Sequence, residues 1–450
     1  MEATPTVSAF RGLTYSLDRY GSPEIHPRIR LDAEEAHHAG RVADVTDVVC
    51  PPFDVMTDED RTRLLERNDR NAARLELNPA PDPYRAAADE LARWRSDRTL
   101  AVDREPRVYY YVHATSSHPD RPSVHGVVVR VLLEPWGARV RPHERTLHGP
   151  KQDRLALLRS TTTQFSPILA IYFDRSQRYA HVMSRPWSDE WRARDGDGLL
   201  HQLAAVEPDP RLIGYLGRQQ LFVADGHHRY ETALAYRDEV RALPLRRGGA
   251  PGALAADWVM AVLVNAAIED VEIRPTHRLV RGVDRDTIDA LHERLAACWE
   301  IQPVAPSAVT AELAALARET RPVVAMALPG DRTYVLLGRR EQLEARMRHE
   351  PTSTAARRLD LAALHATVLR DILGIDVARE AAGDRLAYTK DAADALSRVT
   401  HGDVDAAFLV RPTPLDQLAA VARAGDVMPQ KSTYFHPKLL TGLVFNPLED

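Results

Sequence analysis

One short segment limits the fold of this chain more than any other. Residues 221–225 read Leu-Phe-Val-Ala-Asp, Gly226 follows, and a helical pattern begins within the next few positions. The segment predicts a β-strand that turns sharply into an α-helix, because Gly226 tolerates a positive φ. The first amide groups of such a helix point out at the strand end, where they bind anions. We therefore expect a fold with an anion site at this corner.

Short segments rich in Val, Ile and Tyr alternate with helical segments along the chain. The predicted strands include Arg107–Ala114, Val124–Leu133, Ile168–Phe173, Gln219–Val223 and Trp258–Ala266. The predicted helices include Asp58–Asn68, Pro83–Arg98, Lys151–Thr161 and Tyr230–Leu243. This alternation predicts an α/β fold with a mixed, α+β-like sheet.

The length of the chain predicts more than one domain. At 450 residues it exceeds what one ordinary core supports. A second series of helices and strands starts near Gly282, and it includes a predicted helix over Asp360–Leu373 and a predicted strand over Ala406–Val410. We expect a first domain over residues 1–281 and a smaller C-terminal α/β domain over residues 282–450. The final loop, residues 428–442, is expected to return to the cleft of the first domain.

Composition excludes several classes of protein. The chain has 59 basic and 64 acidic residues, a formal charge of −5, and the two signs are mixed along it, which argues against a DNA-binding protein. Its two cysteines, Cys50 and Cys298, are too few for a disulfide framework or a four-cysteine metal site. No apolar stretch reaches the roughly 18–20 residues that span a bilayer. We expect a cytoplasmic protein.

The residues after Gly226 have an unusual charge for their position. His227, His228 and Arg229 stand at the start of the predicted helix, where cations are disfavoured by the helix dipole. A bound phosphate would resolve this conflict, and the arginine fork suits phosphate. Two alternatives remain open: the histidines cap the helix or pair with acids, or they bind zinc together with His277. Adjacent residues at a helix start diverge, which disfavours zinc.

Two further segments combine charged and hydroxyl side chains. Glu144 stands among five basic groups. These groups are Arg141, His143, Arg145, Lys151 and Arg154. Near the C-terminus, Met428–Lys438 contains Lys431, Ser432 and Thr433 between prolines that prevent a simple helix. Each segment is a candidate binding loop, and each has an ordinary solvated loop as its alternative.

No Walker A loop, G-x-G-x-x-G fingerprint or G-x-S-x-G elbow occurs, so a nucleotide site must be of a less common kind.

At the level of motifs, the chain resembles the bacterial and archaeal family of domain of unknown function 1015 over nearly its whole length. The segments that carry this resemblance, in order, are Cys50–Val55, His143–Thr146, Lys151–Leu155, Ser166–Ile168, Asp225–Ala233, Pro275–Arg278 and Met428–Lys438 with Thr441 and Gly442.

The Asp-Gly-His-His-Arg segment of that family is similar to the phosphate-binding motif of the ParB and sulfiredoxin-like superfamily, which includes free-serine kinases and CTP-binding ParB proteins. The resemblance implies a ParB/sulfiredoxin-like nucleotide-binding core in the first domain. It implies that His227, His228 and Arg229 hold the phosphates and that Asp225 lies beside the metal or the acceptor. Gly226, His228 and Arg229 are accordingly expected cofactor contacts, and Asp225 and His227 are candidate catalytic residues. Glu144 is the candidate general base. Further expected cofactor contacts are Arg145, Lys151, Arg154, Lys431, Ser432 and Thr433.

These expectations favour a kinase that transfers a phosphoryl group from ATP or ADP, with CTP as an alternative, to a small hydroxyl compound such as serine. Mg²⁺ is the expected metal, at Asp225. One alternative is a ParB-like regulator that binds and hydrolyses nucleotide. Another is a metal-dependent hydrolase that uses His227, His228 and His277. The sequence leaves open whether the protein forms a homodimer.

Overall fold

The structure is a computed structural model that describes residues 6–22, 41–144, 151–176, 189–246, 249–376 and 385–449. The chain forms two compact units. Unit 1 comprises Met1–Arg141, His148–Glu272 and His436–Asp450, and unit 2 comprises Pro142–Leu147 and Ile273–Phe435.

The strands of the described residues, in chain order, are β1 (Val7–Ser8), β2 (Leu13–Tyr15), β3 (Gly21–Ser22), β4 (Val42–Asp44), β5 (Leu100–Val102), β6 (Val108–Thr115), β7 (His118–Leu132), β8 (Val140–Pro142), β9 (Thr163–Gln164), β10 (Ile168–Tyr172), β11 (Glu190–Arg194), β12 (Leu200–Val206), β13 (Leu221–Asp225), β14 (Trp258–Asn265), β15 (Glu272–Arg274), β16 (His277–Val280), β17 (Trp299–Pro303), β18 (Val323–Leu328), β19 (Arg332–Gly338), β20 (Leu386–Thr389), β21 (Ala406–Val410), β22 (Tyr434–His436) and β23 (Asn446–Pro447).

The α-helices of the same residues are α1 (Leu17–Tyr20), α2 (Asp58–Arg67), α3 (Ala73–Glu76), α4 (Pro83–Ser96), α5 (Lys151–Thr161), α6 (Pro210–Leu216), α7 (His227–Ala242), α8 (Arg285–Leu295), α9 (Val309–Ala315), α10 (Arg340–Arg346), α11 (Thr354–Arg357), α12 (Asp360–Ala363), α13 (Ala392–Thr400) and α14 (Leu415–Arg423). Short 3₁₀ turns occur at Pro244–Arg246, Ala255–Asp257 and Pro306–Ala308, and Leu364–Arg370 is a π-helix.

Unit 1 is built on a large mixed sheet, as the sequence predicts. Within the described residues this sheet has eleven strands. Ten follow the order β3-β4-β11-β12-β6-β7-β14-β10-β13-β8, and β1 pairs with β7. The pairs β10–β14 and β4–β11 are parallel, whereas β13 and β7 run antiparallel to their partners β10 and β14. All eight residues of β14 are buried, as expected for a Val- and Leu-rich strand that is covered on both faces.

Local sequence signals explain where the helices of unit 1 begin. In α4, for example, the Asp82 side chain accepts the Arg85 N–H as an N-cap, and Pro83 occupies the first turn, where its missing N–H costs nothing. Ala87, Leu91 and Trp94 are spaced by three to four residues and form the buried face. This helix confirms the predicted one at Pro83–Arg98.

Unit 2 contains a smaller antiparallel sheet. In the part of the chain that the structure describes, it has six strands in the order β17-β19-β18-β21-β16-β20. Alternate residues of β18 belong to different cores: Val324 and Met326 pack in one apolar cluster, and Val323 and Ala325 in another. Because successive side chains of a strand point to opposite faces, both faces of this sheet are covered.

One helix of unit 2 changes its hydrogen-bond spacing. The segment predicted as a helix over Asp360–Leu373 begins as α12 and continues as the π-helix Leu364–Arg370. The Asp371 N–H donates to the Ala366 carbonyl oxygen, five residues earlier, at 3.3 Å. Trp299, on the neighbouring strand β17, donates a hydrogen bond from its Nε1 to Thr367 Oγ1 of the π-helix at 3.0 Å. Short π-helical turns inside helices are uncommon and frequently occur at functional sites.

The observed units differ from the predicted division at 281/282. That boundary falls after β16, which pairs with β20 and β21 and therefore belongs to the sheet of unit 2. The C-terminal residues 436–450 belong to unit 1, where β23 pairs with β9 and Phe445 bridges to Leu13. The functions expected of the two domains stay predictions.

Two expectations from composition concern cysteines and membrane spans. Cys50 is buried, Cys298 is half-buried, and both are free thiols. Among the described helices, none is both long enough and apolar enough to cross a membrane.

Candidate functional site

The strand-to-helix corner at Gly226 forms as the sequence predicts. Gly226 has φ 88° and ψ 30°, in the left-handed region, and it is the N-cap of α7. A Cβ atom at this position would lie 2.9 Å from Ile168 Cγ2 and 3.0 Å from Arg229 Cζ. Glycine is therefore required both for the backbone conformation and for the close approach of Arg229. Helix α7 begins at His227, earlier than the predicted Tyr230, because the glycine cap stands directly after β13.

Asp225, the last residue of β13, binds two cations. Its Oδ1 accepts from Lys438 Nζ and its Oδ2 accepts from Arg229 Nη2. The side chains of Asp225 and Arg229 are each 10% exposed, and that of Lys438 is 13% exposed. Burial raises the pKa of Asp225, but the charges of Lys438 and Arg229 together outweigh burial and hold this pKa well below its usual range. The cluster thus has one negative and two positive charges.

Arg229 is held inside its own unit. Its Nη1 donates to the carbonyl oxygen of Pro167, in addition to the contact with Asp225. Its Nε is buried and has no hydrogen-bond partner among the described residues. An unpaired buried donor costs about 1–3 kcal/mol, so the guanidinium would gain from a further acceptor.

The two histidines of the motif have different surroundings. His227 is 7% exposed, and its ring centroid lies 6.2 Å from that of Trp136. Trp136 in turn stacks on Tyr230 at 4.2 Å. His228 is only partly buried. Of the two, His228 has more surface for a ligand, whereas His227 belongs to an aromatic cluster.

The groups around Asp225 do not fit a divalent cation in this arrangement. Both carboxylate oxygens contact cationic side chains, and hard cations such as Mg²⁺ require oxygen ligands. Within the described residues, no group of three or more His, Cys, Asp or Glu side chains is placed to hold a metal ion. The metal role predicted for Asp225 stays a prediction without support from this geometry, and so does a zinc site at His227, His228 and His277.

A second buried carboxylate of unit 1 is Glu76, which is 4% exposed. Arg154 Nη1 lies 3.6 Å from its Oε1. Ser166 Oγ donates to Oε1 at 3.3 Å and contacts Thr441 Oγ1 at 2.5 Å. Burial raises the pKa of Glu76, against the opposing charges of Arg154 and Arg229. Arg229 therefore acts electrostatically on both Asp225 and Glu76.

Arg154 was expected to bind the cofactor, but its surroundings favour a structural role. It is 7% exposed, and it pairs with Asp153 at 2.5 Å as well as with Glu76. Its guanidinium carbon lies 4.4 Å from the ring centroid of Phe53. A guanidinium that is buried against a ring and already paired has little capacity left for a phosphate.

Glu144 belongs to a separate cluster in unit 2. Its Oε2 accepts the Ser432 N–H at 3.2 Å. The neighbouring His143 contacts Thr433 Oγ1 through Nε2 at 2.6 Å, and its carbonyl oxygen accepts the Met428 N–H at 2.8 Å. The structure therefore brings the predicted residues Glu144, Ser432 and Thr433 together, although almost 290 residues separate them in the sequence.

Arg278 is a buried cation of unit 2 that the predicted site residues did not include. It is fully buried, its Nη2 donates to the Gln430 carbonyl oxygen at 3.1 Å, and it lies 5.4 Å from the Tyr388 ring. Burial lowers the pKa of Arg278 to about 10, while the negative charges of ionised Tyr388 and Glu144 act to raise this pKa. The adjacent His277 accepts the Val410 N–H at 3.2 Å, and burial lowers its pKa to about 4.

A comparison of the sequence with protein families decides the relationship of the chain. The family described as Protein of unknown function (DUF1015) matches residues 28–362. The chain belongs to this family. The resemblance seen in the motifs is confirmed over most of the chain, while Met428–Lys438 lies beyond the matched residues. A comparison with curated proteins found no match.

Several solved structures are similar to this DUF1015 chain. A free serine kinase in complex with AMP is 13% identical, with a TM-score of 0.36 over 70% of this chain and 88% of the kinase. A conserved hypothetical protein from Pyrococcus furiosus is 13% identical, with a TM-score of 0.34 over 67% of this chain and 89% of the other. SbnI from Staphylococcus aureus, with a C-terminal truncation, is 13% identical, with a TM-score of 0.37 over 71% and 87%.

Three further residues of the DUF1015 chain were predicted to contact the cofactor. Arg145 lies outside the described residues, and only the main chain of Lys151, the first residue of α5, is described. Lys431 is exposed and has φ 54°.

The sequence did not predict Lys438 and Glu76 as site residues. Lys438 stands in a motif that the resemblance already marked, whereas nothing in the sequence around Glu76 indicates that its carboxylate becomes buried.

Proposed function

We propose that this protein is a nucleotide-dependent phosphotransferase that transfers a phosphoryl group to a hydroxyl of a small molecule such as serine. The observation that carries the proposal is the cluster at Gly226. A buried carboxylate, Asp225, holds the two cations Arg229 and Lys438 at the N-terminus of α7. Helix N-termini and excess positive charge both favour bound phosphate.

A phosphate group at this corner would compete with Asp225 for its two cations. Lys438 offers an ammonium group and Arg229 a guanidinium with one buried N–H still lacking an acceptor. Phosphoryl transfer depends chiefly on positioning and on neutralising the charge of the phosphates, which two cations can provide. Asp225 is then a positioning residue that keeps both cations in place until nucleotide binds.

The similarity of the Asp225–Arg229 motif to that of the ParB and sulfiredoxin-like superfamily supports a core of that type and a nucleotide as the phosphoryl donor. ATP or ADP is the expected donor, and CTP the alternative. Any Mg²⁺ would enter with the nucleotide and add to the neutralisation of its phosphates, because both oxygens of Asp225 already contact cationic side chains. Glu144 is the proposed base that accepts the proton of the attacking hydroxyl. Its hydrogen bond from the Ser432 main chain leaves the second carboxylate oxygen for that role.

The proposal is tested with the purified protein, a nucleotide and a pool of hydroxylated metabolites, with phosphorus NMR as the readout. ATP, ADP and CTP are compared, each with and without Mg²⁺. A new phosphomonoester signal that grows with time is the expected result. Hydrolysis or tight retention of nucleotide without any phosphomonoester would contradict the proposal in favour of a ParB-like regulator.

A pair of arginine variants locates the activity. Arg229→Ala is expected to abolish product formation. Arg211→Ala serves as the matched control because Arg211 is exposed on α6 and its side chain makes no hydrogen bond or ion pair within the described residues. Thermal unfolding of both variants shows whether the fold is retained. Equal turnover in the folded Arg229→Ala variant would refute the assignment of the Gly226 corner.

A further inference from the structure

Unit 2 contains a cavity of about 290 Å³ that is lined by none of the predicted site residues. Its walls come from the π-helix Leu364–Arg370, the turn that contains α11, and residues 427–430. Ligand sites in proteins have volumes of about 300–1,000 Å³, so this cavity lies at the lower end of the range. Its volume suits a small metabolite and is too small for a nucleotide.

Part of the cavity wall is apolar. Met347, Ala356, Ala366 and Ile375 line it, and each is at most 7% exposed. An apolar wall of this kind favours a ligand with a hydrocarbon portion, because burial of that portion removes it from water.

His365, on the π-helix, is a polar group of the wall that lacks a partner. Its side chain makes no hydrogen bond to any described residue, and its Nε2 is buried. Burial lowers the pKa of His365 well below its usual value, and the charge of Arg278 lowers it further. The imidazole is therefore neutral and can donate or accept a hydrogen bond. An unpaired polar group costs about 1–3 kcal/mol when buried, a cost that a ligand bonded to this ring would remove.

The charged side chains of the wall are Glu350, Asp376, Arg370 and Arg357. Of these, Arg357 forms hydrogen bonds only with uncharged groups. Its Nη2 donates to Thr354 Oγ1 at 3.2 Å and its Nη1 donates to the Thr352 carbonyl oxygen, but no carboxylate of the described residues forms an ion pair with it. Arg370, by contrast, is already paired with Glu350 and Asp371. Arg357 thus provides a positive charge that an anionic ligand can neutralise.

We infer that this cavity binds a small organic carboxylate, whose carboxylate group pairs with Arg357 and whose apolar portion packs against Met347 and Ile375. The inference goes beyond the proposed phosphotransferase and does not depend on it. The site also has a route to the Glu144 cluster. Pro429 and Gln430 line the cavity, and two residues later the Ser432 N–H donates to Glu144. A ligand in the cavity would therefore contact the same loop, residues 429–432, that donates this hydrogen bond to Glu144.

Isothermal titration calorimetry of the full chain without nucleotide tests the inference. The ligands are free α-amino acids, 2-oxo acids and inorganic phosphate, each up to millimolar concentration. We expect saturable binding of at least one carboxylate and weaker or no binding of phosphate. Comparing the α-amino acids with the 2-oxo acids shows which of these two classes of carboxylate the cavity prefers. Absence of saturable binding by any carboxylate, or tighter binding of phosphate, would overturn the inference.

Two pairs of variants confine the binding to this cavity. Arg357→Gln is expected to weaken it by roughly tenfold or more, the loss of one charge-assisted hydrogen bond. Arg358→Gln, at the exposed neighbouring position, is expected to leave it unchanged. Ala366→Leu fills the cavity and should abolish binding, whereas Ala345→Leu, on the exposed side of α10, should not. If Ala366→Leu does not fold, the arginine pair decides alone, and equal affinities in that pair refute the site.

Discussion

The Lys438 ammonium group donates to the Asp225 carboxylate across 213 residues of sequence. Arg229, four residues after Asp225, contacts the other oxygen of the same carboxylate. One anion therefore positions two cations at the N-terminus of α7, and the strand-to-helix corner keeps a net positive charge although it contains Asp225. This relationship makes the C-terminal segment of the chain part of the candidate site in unit 1.

Lys438→Gln should weaken phosphate binding while preserving the corner itself. The variant removes one of the two cations and leaves Arg229 paired with Asp225. Binding of ATP or ADP, measured by calorimetry, is expected to fall by roughly tenfold or more, as for the loss of one charge-assisted contact. Lys390→Gln is the matched control, because Lys390 lies over the Tyr434 ring in unit 2. Equal losses in both variants would contradict the role of Lys438.

Asp225→Asn should change how stability depends on pH. The folded pKa of Asp225 lies below the unfolded value of about 3.9, so its contribution is fully present above that pH and is lost as the pH falls toward the folded pKa. At neutral pH the variant leaves two buried cations uncompensated, and its free energy of unfolding should be lower by about 3–5 kcal/mol. Urea unfolding of both proteins should show that the difference between their free energies of unfolding becomes smaller below about pH 4. A difference that stays constant over that range would refute the ionised Asp225 carboxylate as its cause.

Gly226→Ala should damage both the fold and the site. Alanine at φ 88° costs about 1–2 kcal/mol, and its Cβ would additionally meet Ile168 and Arg229 at about 3 Å. Gly137→Ala is the matched control, since Gly137 has φ 103° and open space around the added Cβ. The melting temperature should fall further in Gly226→Ala, and only this variant should lose nucleotide binding. The steric account of the Gly226 corner is wrong if the two variants behave alike.

Glu144→Gln should separate catalysis from structure. A glutamine amide oxygen can still accept the Ser432 N–H, so the melting temperature should change little. If Glu144 is the general base, turnover should fall by about 10²–10⁴-fold. Steady-state rates with the acceptor that NMR identifies provide the measurement, and Glu144→Ala shows the separate effect of losing the hydrogen bond. Unchanged turnover in Glu144→Gln would exclude Glu144 as the base.

Elements with strong local patterns were predictable. Helix α5 occupies Lys151–Thr161 and β21 occupies Ala406–Val410, both as predicted, because an apolar period or a short apolar run defines them. Strands β11 and β12 were not predicted. In β11 only Trp191 and Ala193 are buried, between charged residues, and its extended form depends on pairing with β4 and β12. Pairing between distant segments leaves little trace in the local sequence.

The candidate site was predictable to a similar extent. Motif spacing located Asp225, Gly226 and Arg229, and it placed Glu144, Ser432 and Thr433 among the binding candidates. It did not show that Arg154 would be buried beside Glu76 and Phe53. It also did not show that Arg229 would be engaged by Asp225 and Pro167. The partner of a charge is decided by which side chains the fold brings within a few ångströms and removes from water.

The amino-acid sequence by itself determined the strand, the glycine turn and the helix around Gly226, because a positive φ and an apolar run are properties of a few consecutive residues. Only the tertiary structure decided that Lys438 pairs with Asp225, that Ser432 donates to Glu144, and that His365 lines a cavity in unit 2. These relationships join residues far apart in sequence, and their strength comes from burial, which exists only once the chain has folded.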